Sequence, residues 1–133
     1  MTETEIRQFL VKNLTPHGFD VQRNESGSVN EGYPDLTISK NNKTFLLELK
    51  QCHIDRKDRI VLAKFQPRQK GKMALLATAQ KVRVLGATFD KHAFLVSSPS
   101  PKILFDAPCV KWSGTLDREC DLHKYLDTWM EAL

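Results

Sequence analysis

The sequence predicts a mixed α/β fold, and three observations predict it. Apolar residues recur at helical spacing near both ends of the chain, polar and apolar residues alternate with period two between them, and 133 residues suffice for one continuous core. Hydrophobic residues make up 41% and charged residues 27%, with six Gly and six Pro, which excludes disorder, collagen and coiled coil. No apolar run approaches the ~20 residues of a membrane span. The opening Met1-Thr2-Glu3-Thr4-Glu5 is acidic and lacks the basic-then-apolar order of a secretion signal. Cys52, Cys109 and Cys120 lie far apart, no Cys-x-x-Cys pair exists, and the four His are scattered. That excludes a disulfide framework or a structural zinc site and points to a reduced, cytosolic-type compartment.

Taken in order, Ile6, Phe9, Leu10 and Leu14 predict a first helix. Thr2 and Glu5 form a capping box at its start, and Pro16 and Gly18 end it. Phe19-Asp20-Val21 alternates as a short strand, and the polar, Gly-containing residues 24–33 form a loop. A hairpin follows. Leu36 and Ile38 alternate with polar residues, Asn41-Asn42 occupy the turn, and Phe45, Leu47 and Leu49 alternate on the return strand. Ile60-Val61-Leu62 suits a short strand, and Pro67 opens a second helix carrying Met73, Leu75, Leu76 and Ala79. Val82–Leu85 and Phe94–Val96 read as strands, Ser97–Pro101 as a loop, and Leu122, Tyr125, Leu126, Trp129 and Met130 as a C-terminal helix. The expected organisation is a single domain over 1–133, with its core at about 2–97 and a C-terminal extension at about 98–133.

Charge is unevenly spread. Residues 1–39 carry 3 basic and 6 acidic side chains, residues 40–83 carry 12 and 3, and residues 84–133 carry 5 and 7. The middle segment is therefore +9 while the flanks are −3 and −2. A polyanion such as nucleic acid is the natural partner of that segment, the alternative being a solvated basic face.

The chemistry lies in the hairpin. With the turn centred between Asn41 and Asn42, facing residues have numbers that add to 83, so Asp35 meets Glu48. Facing residues share a side of the sheet, with Cβ atoms roughly 4.5–5.5 Å apart. At about 5 Å and an effective dielectric near 20, two carboxylates repel by roughly 3 kcal/mol. A bridging cation or a retained proton relieves this, and two carboxylates plus water suit Mg²⁺. Alternation puts Lys50 on the same face as Glu48 and sends Leu49 into the core. The expected result is a polar face, bearing two acids and a lysine, backed by an apolar strand. Such a set suits metal-assisted hydrolysis of a phosphodiester, with the lysine orienting water or stabilising charge.

Pro34-Asp35, twelve residues, then Glu48-Leu49-Lys50 resembles the signature of the PD-(D/E)xK nuclease superfamily. The element order over about 2–97 resembles its restriction-endonuclease-like αβββαβ core with a mixed central sheet, to which the C-terminal helix is added. The resemblance implies that Asp35, Glu48 and the Leu49 carbonyl ligate Mg²⁺, with Mn²⁺ as a substitute, and that Lys50 is the catalytic lysine. Within the superfamily, Gly18-Phe19-Asp20-Val21-Gln22-Arg23 and Ser26-Gly27-Ser28 resemble archaeal-type Holliday junction resolvases, and Pro67-Arg68-Gln69 resembles the Pro-x-Gln of VRR-NUC nucleases. The resolvases place a helix-one glutamate where this chain has Arg7, so the acid here must come from one turn earlier. Glu3 stands on the interior side of the Ile6, Leu10, Leu14 stripe, whereas Glu5 has the capping task, which favours Glu3 as a third acid and metal ligand.

By the same resemblance Gln69 positions the attacking water or a metal, and Ser26 and Ser28 contact phosphate. Arg56, Lys57, Arg59, Lys64, Arg68, Lys70 and Lys72 supply backbone contacts to DNA. The expectation is a Mg²⁺-dependent DNA endonuclease that cuts branched DNA such as a four-way junction, as a symmetric homodimer with two sites and without membrane association. The alternatives are a VRR-NUC or restriction-like nuclease on flapped, nicked or duplex DNA, and a catalytically silent nucleic-acid-binding module.

Overall fold

The structure, a computed structural model, describes residues 1–24, 33–63, 82–96, 104–105 and 110–133. Helix α1 (Glu3–Leu14) carries the full capping box: the Thr2 hydroxyl accepts from the Glu5 N–H, and the Glu5 carboxylate accepts from the Thr2 N–H. A single 3-10 turn (Thr15–His17) follows, and Gly18 closes it at φ 88°, a left-handed conformation that glycine adopts without strain.

Eight strands among the described residues form one mixed sheet. They are β1 (Asp20–Arg23), β2 (Leu36–Lys40), β3 (Lys43–Ile54), β4 (Ile60–Leu62), β5 (Val82–Ala87), β6 (His92–Val96), β7 (Leu104–Phe105) and β8 (Val110–Thr115). The main path runs β1-β2-β3-β5-β6-β8. Strand β4 also pairs with β3, and β7 pairs with β4. Every pairing is antiparallel except β3 with β5. Asn41 and Asn42 both take positive φ (51° and 64°), so a two-residue turn whose twist matches the strands sets the β2–β3 register. That register pairs Leu36 with Leu47, Ile38 with Phe45 and Lys40 with Lys43.

One face of the sheet is covered by α1 and the C-terminal helix (Leu122–Glu131). Ile6, Leu10 and Leu14 from α1 and Leu122, Leu126 and Met130 from the C-terminal helix join Phe45, Leu47, Leu49, Leu85 and Leu95 in the main core. Trp129 packs edge-on against Phe45, with ring centroids 4.8 Å apart, and the Arg83 guanidinium lies 4.1 Å over its ring. The apolar stripe of the C-terminal helix is thus spent inside its own chain. A second cluster on the other face holds Leu46, Ile60, Leu62, Val82, Val84 and Val96.

Two strands were not expected. β8 alternates half-buried and exposed residues, the pattern of a strand with one solvated face, and it pairs with β6. β7 is two residues long, and β3 runs four residues beyond Lys50. The helix expected from Pro67 and the loop expected at Ser97–Pro101 lie outside the described residues. Cys52 and Cys120 are free thiols. No helix among the described residues is long and apolar enough to cross a membrane.

Candidate active site

The site forms where β3 changes partners along one edge. In a strand the backbone groups of alternate residues address the same edge, so Leu47, Leu49 and Gln51 all face the side on which β2 lies. β2 ends at Leu36, opposite Leu47. Pairing resumes when the Ala63 N–H donates to the Gln51 carbonyl at 2.8 Å, leading into β4. Leu49 falls between the two partners. Asp35, one residue before β2, fills the gap: its Oδ2 accepts the Leu49 N–H at 2.9 Å. Strand geometry directs the Leu49 carbonyl to the same edge.

Asp35 also meets Glu48, because the hairpin register, extended by one pair beyond Leu36–Leu47, sets them opposite each other. Their carboxyl groups are hydrogen-bonded. Glu48 is 1% exposed, and burial, then the bond to Asp35 and its charge, push its pKa up to about 10, against the opposing pull of Lys50. Burial and the facing Asp35 carboxylate thus both favour the neutral form of Glu48. Glu3 joins the same field from the first turn of α1. Desolvation and then the Asp35 charge raise its pKa, while Lys50 opposes them. Glu5 remains exposed, its pKa lowered by the hydrogen bonds its carboxylate accepts from Thr2.

The sequence reading expected Glu48 and Lys50 on a polar face. They are instead buried, Lys50 at 5% exposure, on the face that carries Leu46, Val82 and Val84. β5 pairs alongside them in parallel, Glu48 with Val84 and Lys50 with Gly86, so β3 is central and its residues here are buried on both faces. Among the described residues the site opens outward at the Asp35 edge. There a cleft of about 170 Å³ is lined by Glu3, Arg7, Arg23, Asn24, Asp35 and Leu49.

The donor set fits a divalent cation held by two carboxylates. Among the described residues no group of three His, Cys, Asp or Glu side chains is arranged to hold a metal. Asp35 and Glu48 meet directly, however, and a cation between them would relieve the repulsion that raises the Glu48 pKa. Mg²⁺ needs only one or two carboxylates and keeps several waters. Three acids converge here, Glu3, Asp35 and Glu48, with Lys50 beside them and Arg7 and Arg23 in the cleft lining.

The other expected residues fall elsewhere. Arg56 and Lys57 are exposed in the β3–β4 turn, some distance along β3 from Lys50. Arg59 is paired within that turn, its Nε donating to Asp55 Oδ2 at 2.9 Å. Ser26, Ser28, Lys64, Arg68, Gln69, Lys70 and Lys72 lie outside the described residues. Arg7, Arg23 and Asn24 line the cleft although the sequence reading gave them no site role. Arg7 follows Glu3 by one helical turn, and Arg23 and Asn24 end the strand that pairs with β2, so spacing and topology together are the signal for them.

No family model matches the chain, and no curated protein matches it in sequence. Among solved structures the chain is similar to that of Archaeoglobus fulgidus Hjc, a Holliday junction resolvase from an archaeal hyperthermophile. The match has a TM-score of 0.55 and 12% sequence identity, and covers 85% of this chain and 95% of that one. At that identity the likeness establishes a shared fold.

Proposed function

We propose that the protein is a divalent-metal-dependent DNA endonuclease of the PD-(D/E)xK type, acting on branched DNA. The observation that carries this is the buried meeting of Asp35, Glu48 and Lys50 at the point where β3 loses one partner strand and gains the next. A fold shared with a Holliday junction resolvase supports the four-way junction as substrate, and the +9 middle segment supports a nucleic-acid partner. Such a junction has two-fold symmetry, which a homodimer with two sites would match.

Asp35 and Glu48 would hold Mg²⁺, or Mn²⁺ in its place, with the Leu49 carbonyl as a backbone ligand and Glu3 at the cleft edge. When bound, the ion neutralises phosphate charge and lowers the pKa of a water. Asp35 has a double task, since one oxygen stays on the Leu49 N–H and so fixes the carboxylate's orientation. Glu48 must give up its proton on loading. Lys50, buried beside it, orients the attacking water and stabilises charge that develops on the phosphate. A bond forms from the water oxygen to phosphorus while the bond from phosphorus to the 3′ oxygen breaks. The products are 5′-phosphate and 3′-hydroxyl ends. Gln69, Ser26, Ser28 and the basic residues Arg56, Lys57, Arg59, Lys64, Arg68, Lys70 and Lys72 are proposed to position water and backbone phosphates.

The test is incubation with a four-way junction, a flap, a single strand and a plain duplex, each with Mg²⁺ or Ca²⁺. Junction cleavage in Mg²⁺ alone is expected, and Asp35→Ala should abolish it. Cutting of linear duplex instead would favour a restriction-like or VRR-NUC nuclease. Binding without cutting by the wild type would leave a silent binding module.

A further inference from the structure

The cleft beside Asp35 contains a residue that donates to the peptide on each side of that aspartate. Asn24 follows the last residue of β1, and the final β1–β2 pair is Arg23 with Leu36, so Asn24 lies alongside Asp35. Its main-chain N–H donates to the Asp35 carbonyl at 2.9 Å. Its side-chain Nδ2 donates to the Pro34 carbonyl at 2.8 Å. Its Oδ1 accepts from the Thr37 hydroxyl at 2.8 Å.

The Pro34 carbonyl belongs to the peptide plane before the Asp35 Cα, and the Asp35 carbonyl to the plane after it. Asn24 therefore grips both planes that meet at that Cα, and together they set the direction of the Asp35 side chain. Thr37 holds the amide of Asn24 in the orientation this needs. The task needs a donor and an acceptor on one short side chain: aspartate lacks the donor, leucine lacks both groups, and serine is too short to bridge Pro34 and Thr37.

We infer that Asn24 is the positioning residue for Asp35, setting the affinity of the candidate site for its divalent ion without touching the ion. The inference rests on the metal-site reading above. Asp35 must serve the Leu49 N–H and face Glu48 at once, so a small rotation of its backbone breaks one contact or the other. Groups that orient a ligand in this way typically govern metal affinity by 10–100-fold.

The test is direct Mn²⁺ binding followed by electron paramagnetic resonance, for the wild type, Asn24→Ala and Thr37→Val, alongside a Mg²⁺ titration of junction cleavage. Asn24→Ala should weaken Mn²⁺ binding by about 10-fold or more. Its cleavage should approach the wild-type rate once Mg²⁺ is raised in proportion. Thr37→Val keeps a β-branched residue in β2 and removes only the hydroxyl, so it folds even if Asn24→Ala does not. It should shift Mn²⁺ binding in the same direction by a smaller factor. A role in folding alone would lower Tm in both variants and leave the Mn²⁺ Kd unchanged, which would overturn the inference. Wild-type protein that fails to bind Mn²⁺ would overturn the metal-site reading and this inference with it. Wild-type binding with unaltered variants would overturn this inference alone.

Discussion

The two faces of β3 are equally buried and chemically opposite. Phe45, Leu47 and Leu49 point into the main core under α1 and the C-terminal helix. Leu46, Glu48 and Lys50 point the other way, and all three are also buried. The first set stabilises the fold by removing apolar area from water, at about 25 cal/mol per Å². The second set brings two ionisable groups into a low-dielectric layer, which costs several kcal/mol per charge unless partners offset it. Leucine at either position would serve the sheet better. An ionisable pair buried at such a cost, with a third and fourth ionisable group drawn in from Asp35 and Glu3, is the mark of a candidate functional site.

Substitutions on the two faces should therefore fail in different ways. The largest effect is expected on catalysis: Glu48→Ala and Lys50→Ala should each lower junction cleavage by at least about 10³-fold, roughly 4 kcal/mol. Gel-shift affinity for the junction should change only a few-fold, because the residues proposed to contact the DNA backbone are other ones. On the other face, Leu47→Ala should cost about 2–5 kcal/mol of stability in urea unfolding, as Leu→Ala changes do in a tight core. Cleavage by the fraction still folded should be unchanged. If Glu48→Ala instead unfolds the chain while Leu47→Ala only slows cleavage, the division between the faces is wrong.

The acid pair also gives the metal-free protein a pH signature. Glu48 keeps its proton in the fold up to about pH 10, whereas the unfolded chain releases it near 4.5. The folded state thus binds more protons across that window, so this contribution is complete below pH 4.5 and is lost as pH rises towards 10. Between pH 4.5 and 7 the loss amounts to about 3 kcal/mol. Chemical denaturation in chelator should show stability falling with pH, and Glu48→Gln should flatten the curve. Added Mg²⁺ should restore more stability at pH 8 than at pH 6, since loading displaces that proton.

The smallest expected effect concerns the placement of Glu3. The Thr2–Glu5 capping box fixes the first turn of α1, from which Glu3 reaches the cleft. Thr2→Ala should cost about 1 kcal/mol in thermal unfolding. A drop in cleavage beyond that accounted for by unfolded protein would show that the helix start also serves the site.

Much of this was legible in the sequence because local chemistry fixed it. Two asparagines that tolerate positive φ set a two-residue turn, and that turn dictates which residue of β2 faces which of β3. The capping box and the two apolar stripes fixed the helices in the same way. What escaped was non-local. A lone alternating triplet does not reveal that a strand will be covered on both sides, so Glu48 and Lys50 read as surface residues. β8 pairs with β6 across a long connection, and only its half-exposed alternation marks it. Asn24 looked like the first residue of a polar loop, and its role depends on β1 lying beside β2.

The most direct test of the central claim is the anomalous difference density of crystals grown with Mn²⁺. The expected result is a peak between the carboxylates of Asp35 and Glu48, within coordination distance of the Leu49 carbonyl, that disappears in Asp35→Ala. Mn²⁺ bound elsewhere, or no peak between the two acids at a saturating concentration, would contradict it.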